Sequence, residues 1–454
     1  MESINKQKLE PLRSDLDLSI IEKHCAKPLE PENESRCRFA YNYVMSRFKA
    51  SRISENKDYA FIMANMSLAP YSGLKTDLFY DWVFNGSKMC RKRGIAHLNE
   101  LIAKGWIQNE NDILSLHPVV SKTAYRKLKP DCEKCHGMIS GLIAYANDCK
   151  KKTYVEQADG VKALELACLR IDKTELAASL FSEFAFLNNS LARHDVAIEW
   201  LLKAKKIREV KLGVNNPDTA MTYNSLAEVY YEKGNHAKAL EWGLSALDVF
   251  GRVFGKEHPS TALIYNTIAL ICAGQRAYSR SFEMLLDALK IQEKTLSENH
   301  PDIAKTKGNI ASVWFMLGKN DTALEWYRKS LHDLENASDS EYLEIAKAYQ
   351  NTAIVYDRVG DIQNAIEHSQ KALKNYFEIN GDYHPKVAEI YSFVAAISEN
   401  NGKFKTAANW YHRALDVYEK NPDYHADALT IRKNIALACE LSSEHEQENE
   451  SEID

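Results

Sequence analysis

Alanine recurs every 42 residues across nearly half of this chain, and that spacing limits the possible folds more than any other feature. Ala220, Ala262, Ala304, Ala346 and Ala388 form one lattice, and Ala227, Ala269, Ala311, Ala353 and Ala395 form a second. Leu247, Leu289, Leu331, Leu373 and Leu415 keep the same step, as do Pro217, Pro259, Pro301 and Pro385, with Leu343 as the exception. Gly234, Gly318, Gly360 and Gly402 make a further lattice, with Arg276 in its one vacant place. One step back, Ala178, Ala185, Ala197 and Trp200 fall in register, so six units are expected over residues 175–422. A fixed period of this length implies a stack of supersecondary units, each contacting its neighbours.

Each unit reads as two helices. Proline after Asn or His opens the first, because proline has no N–H to lose in a first turn. Apolar positions follow at helical spacing, as in Ala220, Tyr223, Leu226, Ala227 and Tyr230. Glycine then ends the helix by taking the left-handed conformation cheaply, and a second amphipathic stretch follows, for example Ala239, Leu240, Trp242, Ala246, Leu247 and Val249. The small alanines let the paired helices approach, while Tyr, Trp and Leu fill the layer between units.

The run Asn216-Pro217-Asp218-Thr219-Ala220, Tyr223 to Tyr230, Gly234, Ala239 to Trp242 and Ala246-Leu247 resembles the tetratricopeptide repeat (TPR) in its long, kinesin-light-chain-like form. Gly255-Lys256-Glu257-His258-Pro259 resembles that form's inter-repeat link. The resemblance implies an all-α helical solenoid that binds proteins or peptides in its concave groove.

Composition supports a soluble helical class: 27% of residues are charged and 45% apolar. No apolar run reaches the 18 or more residues of a membrane span. The first residues carry no apolar segment of signal-peptide type. Nine scattered cysteines suggest reduced thiols and a cytoplasmic setting. The net charge of −5 is uneven, since residues 1–130 hold 21 Lys and Arg against 15 Asp and Glu. Six acidic residues fall in 443–454, so that segment is expected to be a disordered acidic tail. A capping helix is expected just before it, over 423–442.

Ahead of the array, residues 1–59 read as a helical segment, 60–130 as a compact domain and 131–174 as bridging helices. Asp15 to Ala26 and Cys37 to Lys49 carry helical patterns, as do Leu78 to Phe84 and Ile95 to Lys104, the last capped by Gly105. Trp106-Ile107 and Ile113 to Leu116 read as a two-stranded hairpin around the polar turn Gln108 to Asn111. Helix, helix, hairpin is the order of a small winged-helix domain. Leu68 to Gly73, Lys104-Gly105-Trp106-Ile107 and Leu114 to Val120 resemble the winged-helix region of STAND (NB-ARC-type) signalling NTPases. In that family a Met-His-Asp triplet ends the domain and its His contacts ADP; Leu116-His117-Pro118 occupies the matching place. The resemblance implies that His117 senses nucleotide when a partner NTPase domain is present. No G-x-x-x-x-G-K-[ST] loop occurs, so the chain lacks the phosphate cradle and resembles the C-terminal half, or a relic, of such a protein. Trp106 and Leu114 to Val120 would then present a bare apolar face. That face is expected to dock on a P-loop NTPase, on a second copy, or back against residues 131–174.

Three constellations compete with a pure binding role. Cys132-Glu133-Lys134-Cys135-His136 spells the C-x-x-C-H haem pattern, or with Cys149 a zinc set, or simply thiols at a helix start. Lys88, Arg91, Lys92 and Arg93 form a basic cluster in an expected loop, which would serve DNA contact or protein docking. His258, His300 and His384 precede helix-starting prolines and read as link residues. With no nucleophile elbow, no H-E-x-x-H helix and no acid pair, the chain is expected not to be an enzyme, and no cofactor is expected.

The first helix of each TPR unit lines the groove. Lys305, Asn309, Lys347, Asn351 and Arg358 are therefore expected to converge there on an acidic or backbone-exposed peptide. Lys305/Asn309 with Asn351 resembles the start of the carboxylate clamp of chaperone-binding TPRs, although Glu389 and Phe393 stand where that family has a basic pair. The favoured function is a TPR sensor or adaptor of STAND type. The alternative is a transcriptional regulator whose winged helix touches DNA.

Overall fold

The computed structural model describes residues 34–85, 91–149, 154–337, 342–380, 385–420 and 425–451. The segment Asp15 to Ala26, Lys88 and His384 lie outside them. The chain divides into two compact units, residues 1–150 with 157–211 and residues 151–156 with 212–454.

The first unit begins with α1 (Glu34–Ala50) and α2 (Lys57–Met66). Asn56 caps α2, its Oδ1 accepting the Asp58 and Tyr59 N–H groups. Strand β1 (Leu74–Lys75) leads into α3 (Thr76–Phe79) and a wider π-turn at Tyr80–Phe84; α4 (Arg91–Ala103), β2 (Gln108–Glu110) and β3 (Ile113–Ser115) follow. The strands form an antiparallel sheet of order β1-β3-β2, with Leu74 opposite Leu114 and Gln108 opposite Ser115. Asn111 and Asp112 both take positive φ, the conformation a two-residue hairpin turn requires. The hairpin is thus shifted from the expected place. Trp106 and Ile107 belong to the core, each 1% exposed, and the expected turn supplies β2.

Next come α5 (Pro118–Leu128), α6 (His136–Cys149) and α7 (Tyr154–Arg170). They correct the idea of a bare apolar face. Leu114 and Val120 are fully buried and Leu116 nearly so; α1 packs on α5, and Phe48 meets Trp106 edge-on at 5.6 Å. On another side α6 docks on the π-turn. A Cβ on Gly141 would lie 2.3 Å from the Trp82 ring, and one on Gly137 would lie 2.0 Å from the Trp82 carbonyl oxygen, so both positions require glycine. Of the three docking outcomes expected, contact of residues 60–130 with residues 131–174 is present at the π-turn.

Arg170, at the end of α7, ties these pieces together. Its guanidinium donates to the Ser67 carbonyl at 2.5 Å, Ser121 Oγ at 2.7 Å and the Tyr71 hydroxyl at 2.9 Å. The first helical hairpin of the array, α8 (Glu175–Ser190) and α9 (His194–Lys211), completes this unit.

The second unit repeats one hairpin: α10 (Pro217–Glu232) with α11 (His236–Val253), α12 (Pro259–Gly274) with α13 (Tyr278–Thr295), α14 (Pro301–Met316) with α15 (Asn320–Glu335), α16 (Tyr342–Arg358) with α17 (Ile362–Asn380), and α18 (Pro385–Asn400) with α19 (Phe404–Glu419). Both alanine lattices have no accessible surface from Ala220 to Ala395, because a larger side chain there would push the paired helices apart. The glycine lattice takes positive φ throughout, and Arg276 in the vacant place adopts the same conformation at +61°. Asn216, His258 and His300 each cap a Pro-initiated helix, the side chain accepting the N–H two residues on at 2.8–3.1 Å.

The end of the array differs from expectation. Helix α20 runs from His425 to Ser451, through most of the segment read as a disordered tail. Its Ala428, Ile431 and Ala438 are buried with Tyr411, Val417 and Tyr418 of α19. No helix among the described residues is long and apolar enough to cross a membrane.

Candidate functional site

The first helices of the second unit, α10, α12, α14 and α16, lie side by side, and polar side chains link them at motif positions where a globular core would be apolar. Asn224 on α10 donates from Nδ2 to Glu228 Oε1 at 2.9 Å, and Thr267 on α12 approaches the same oxygen at 3.4 Å. Asn266 donates to Thr306 Oγ1 on α14 at 2.8 Å, Thr306 donates to Gln292 at 2.6 Å, and Asn309 Nδ2 donates to Asn266 Oδ1 at 3.2 Å. The result is a polar ladder across three consecutive first helices.

Glu228 stands at the α10 end of this ladder. It stays solvent-exposed, yet protein crowds around it, and desolvation pushes its carboxyl above the usual range. Lys305, two units further on, opposes that rise, as do the bonds from Asn224 and Thr267, while Glu232 adds to it. Beside it Asn224 Oδ1 is buried with no hydrogen-bond partner in the protein. A buried carbonyl oxygen left without a donor costs free energy.

Of the five groove residues expected from sequence, Lys305 and Asn309 sit on this ladder, Lys305 exposed and Asn309 half-buried. Asn351 is exposed on α16. Lys347 is exposed but ion-paired with Glu344 on its own helix at 2.9 Å, and Arg358 lies over the Phe315 ring at 5.5 Å. Glu228, Asn224 and Asn266 were not anticipated. Their signal was a polar residue interrupting the apolar stripe of a first helix.

The remaining candidates resolve differently. His117 caps α5, its Nδ1 accepting the Val119 N–H at 3.3 Å. That is the geometry of His258 and His300, so the His-Pro dipeptide does the same backbone work in both units. Arg91 to Arg93 lie in the first turn of α4 and not in a loop; Arg91 pairs with Asp81 at 3.3 Å, and Arg93 pairs with Asp58. Cys132 and Cys135 are buried, and burial pushes the Cys132 thiol up to about 12 and raises that of Cys135 also. Protonated thiols are poor ligands and poor nucleophiles. Among the described residues, no three His, Cys, Asp or Glu side chains come together to hold a metal.

The tetratricopeptide repeat family matches residues 176–250, 226–294 and 302–376. Among solved structures the chain is similar to BtubC (BKLC) from P. vanneervenii, at 21% identity over 54% of this chain and 94% of that one, with a TM-score of 0.39. It is also similar to a Rap protein complexed with competence and sporulation factor, at 14% identity, 63% and 81% coverage and a TM-score of 0.46. A third is a STAND protein with a tetratricopeptide repeat sensor from Pyrococcus horikoshii, at 12% identity, 93% and 68% coverage and a TM-score of 0.45. No curated protein matches the chain. The repeated hairpins, the closed alanine lattices and the family match agree: residues 176–294 and 302–376 are tetratricopeptide repeats, and the array is an all-α solenoid.

Proposed function

We propose that the second unit is a peptide-binding sensor or adaptor and that its site is the trough across α10, α12, α14 and α16. The observation that carries this is the ladder of amides and hydroxyls from Asn224 to Asn309, with a buried acceptor left unpartnered at Asn224. Amides at Asn309 and Asn351 suit an extended main chain, and Lys305 and Lys347 suit acidic side chains. Glu228 and Asn224 ask for a donor at the other end. The preferred ligand is an extended peptide with an acidic residue toward α16 and an N–H or cationic group toward α10.

The test is selection from a displayed random-peptide library on the full chain. The wild type is expected to enrich acidic sequences, and Lys305→Ala with Lys347→Ala should weaken them about tenfold, the worth of two exposed charge-assisted contacts. The melting temperature should stay unchanged. Enrichment that survives the double substitution moves the site elsewhere.

For residues 60–130 we infer a winged helix of STAND type. What supports it is the order helix, strand, helix, helix, strand, strand, with the first strand pairing the last. Since its apolar residues are covered from within, contact with a P-loop NTPase would run through polar surface, and His117, whose Nδ1 caps α5, would meet a nucleotide through Nε2. For the rival DNA reading, an electrophoretic shift at two salt concentrations decides: phosphate contacts give a steep salt slope, and none is expected with Arg91 and Arg93 already paired.

A further inference from the structure

A second cavity, in the first unit, lies far from the groove in chemistry as well as in sequence. Its volume is about 470 Å³, and it opens between the end of α7, the link to α8, and the face of α9. Phe181 and Trp200, in edge contact at 4.9 Å, form one wall with Ile207. At the mouth stand Leu169, 62% exposed, and Val210, 76% exposed. These are the two most exposed large apolar side chains among the described residues, and both line the same opening. Apolar side chains left so bare mark a surface that another molecule covers.

Charge says what kind of molecule. Lys173, Lys203, Lys206 and Lys211 ring the apolar cavity. Lys203 is engaged already, by Glu199 at 2.7 Å and by the Trp200 ring, 3.6 Å from its centroid. Lys173, Lys206 and Lys211 are exposed and have no ion-pair partner among the described residues. An apolar well under three uncommitted ammonium groups suits an anion with an apolar body. Size then separates a small molecule from a peptide helix. An α-helix with its side chains is about 10–12 Å across and needs a long groove, whereas the volume here falls within the range of small-ligand sites, which are mostly apolar with a few fixed polar groups.

We propose that this cavity binds a carboxylate bearing a single unbranched apolar chain, of the fatty-acid class, with the chain against Phe181, Trp200 and Ile207 and the carboxylate among Lys173, Lys206 and Lys211.

Calorimetric titration of the full chain with dodecanoate, below its micellar concentration, tests the idea against dodecanol and dodecyltrimethylammonium. Saturable binding of one dodecanoate per chain is expected, about tenfold tighter than either uncharged or cationic analogue. Val210→Glu, at an exposed position, should abolish it by placing a like charge in the mouth. Lys173→Glu with Lys206→Glu should do the same while leaving the apolar wall intact. Circular dichroism melting of each variant establishes that it is folded. Absence of saturable binding, equal affinity for the three amphiphiles, or unchanged affinity in both variants overturns the proposal. So does binding of an acidic amphipathic helical peptide at this site by a chain that ignores dodecanoate.

Discussion

The array and the unit in front of it hold their backbones by opposite means. In the second unit each structural task is done five times by interchangeable residues. Five alanines close the same helix–helix contact, and the turn after each first helix takes positive φ whether Gly or Arg occupies it. In the first unit the tasks are done once. Arg170 alone joins Ser67, Tyr71 and Ser121, and Trp82 alone fills the notch made by Gly137 and Gly141. A repeat spreads its stability over many small equivalent terms, whereas a single-use junction concentrates it in a few side chains.

The largest expected effect is therefore at Arg170. Arg170→Ala removes hydrogen bonds to the buried Ser67 carbonyl and Ser121 hydroxyl and takes the guanidinium off the Tyr71 and Tyr125 rings, so about 3 kcal/mol should be lost. Hydrogen exchange checks it: amides of 57–128 should lose protection while those of 217–420 keep theirs. Equal loss in both regions would mean that the two units fold as one and would dissolve the comparison.

The same contrast explains what the sequence made legible. The lattices predicted both helices of every hairpin, the closed alanine contacts and the glycine turns, because each signal was repeated until chance was excluded. His258 and His300 were recognised as link residues by position, and their capping bonds give the reason. One-off features left no such trace. Strand β1 is two residues long, too short to show an alternating pattern. The π-turn at Tyr80–Phe84 depends on Trp82 meeting glycines more than fifty positions away. Helix α20 extends past Leu441 through residues whose charge argued for disorder, since composition alone does not register that its earlier turns are anchored on α19. In the groove, Lys305 and Asn309 were found by motif position. Glu228 and Asn224 were missed because they stand at other positions of the first helix than the residues expected in the groove.

A substitution of intermediate size sharpens the claim of redundancy. Ala353→Leu places three extra carbon atoms where the wild-type side chain has no accessible surface, and overpacking of this kind costs about 2 kcal/mol. Since each hairpin packs chiefly on its neighbours, the loss should be local. Proteolysis should find new cleavage in α16 and α17, with α10 to α13 still protected. Global unfolding at the same denaturant concentration as the wild type's first transition would show that the array is one cooperative block.

The smallest effect is the most diagnostic, because at Arg276 the repeat departs from its own rule and the backbone does not follow. Arg276 sits at φ +61°, its N–H bonded to the Ala273 carbonyl at 2.9 Å and that of Ala277 to Cys272 at 2.8 Å. Gly318 and Lys319 make the same pair of bonds one unit later, to Phe315 at 2.9 Å and Trp314 at 3.0 Å. An L-residue in this conformation costs about 1–2 kcal/mol, and glycine returns part of that gain through its freer unfolded chain. Arg276 is exposed, so its removal sacrifices no packing. Arg276→Gly should therefore stabilise the second unit by about 1 kcal/mol. The converse, Gly318→Ala, should destabilise by about 1 kcal/mol, since the added methyl would meet nothing within 4 Å and only the dihedral cost remains. Denaturant midpoints of the two variants should move in opposite directions by similar amounts. If neither moves, the glycine lattice is not a conformational requirement, and the period would rest on the alanine contacts alone.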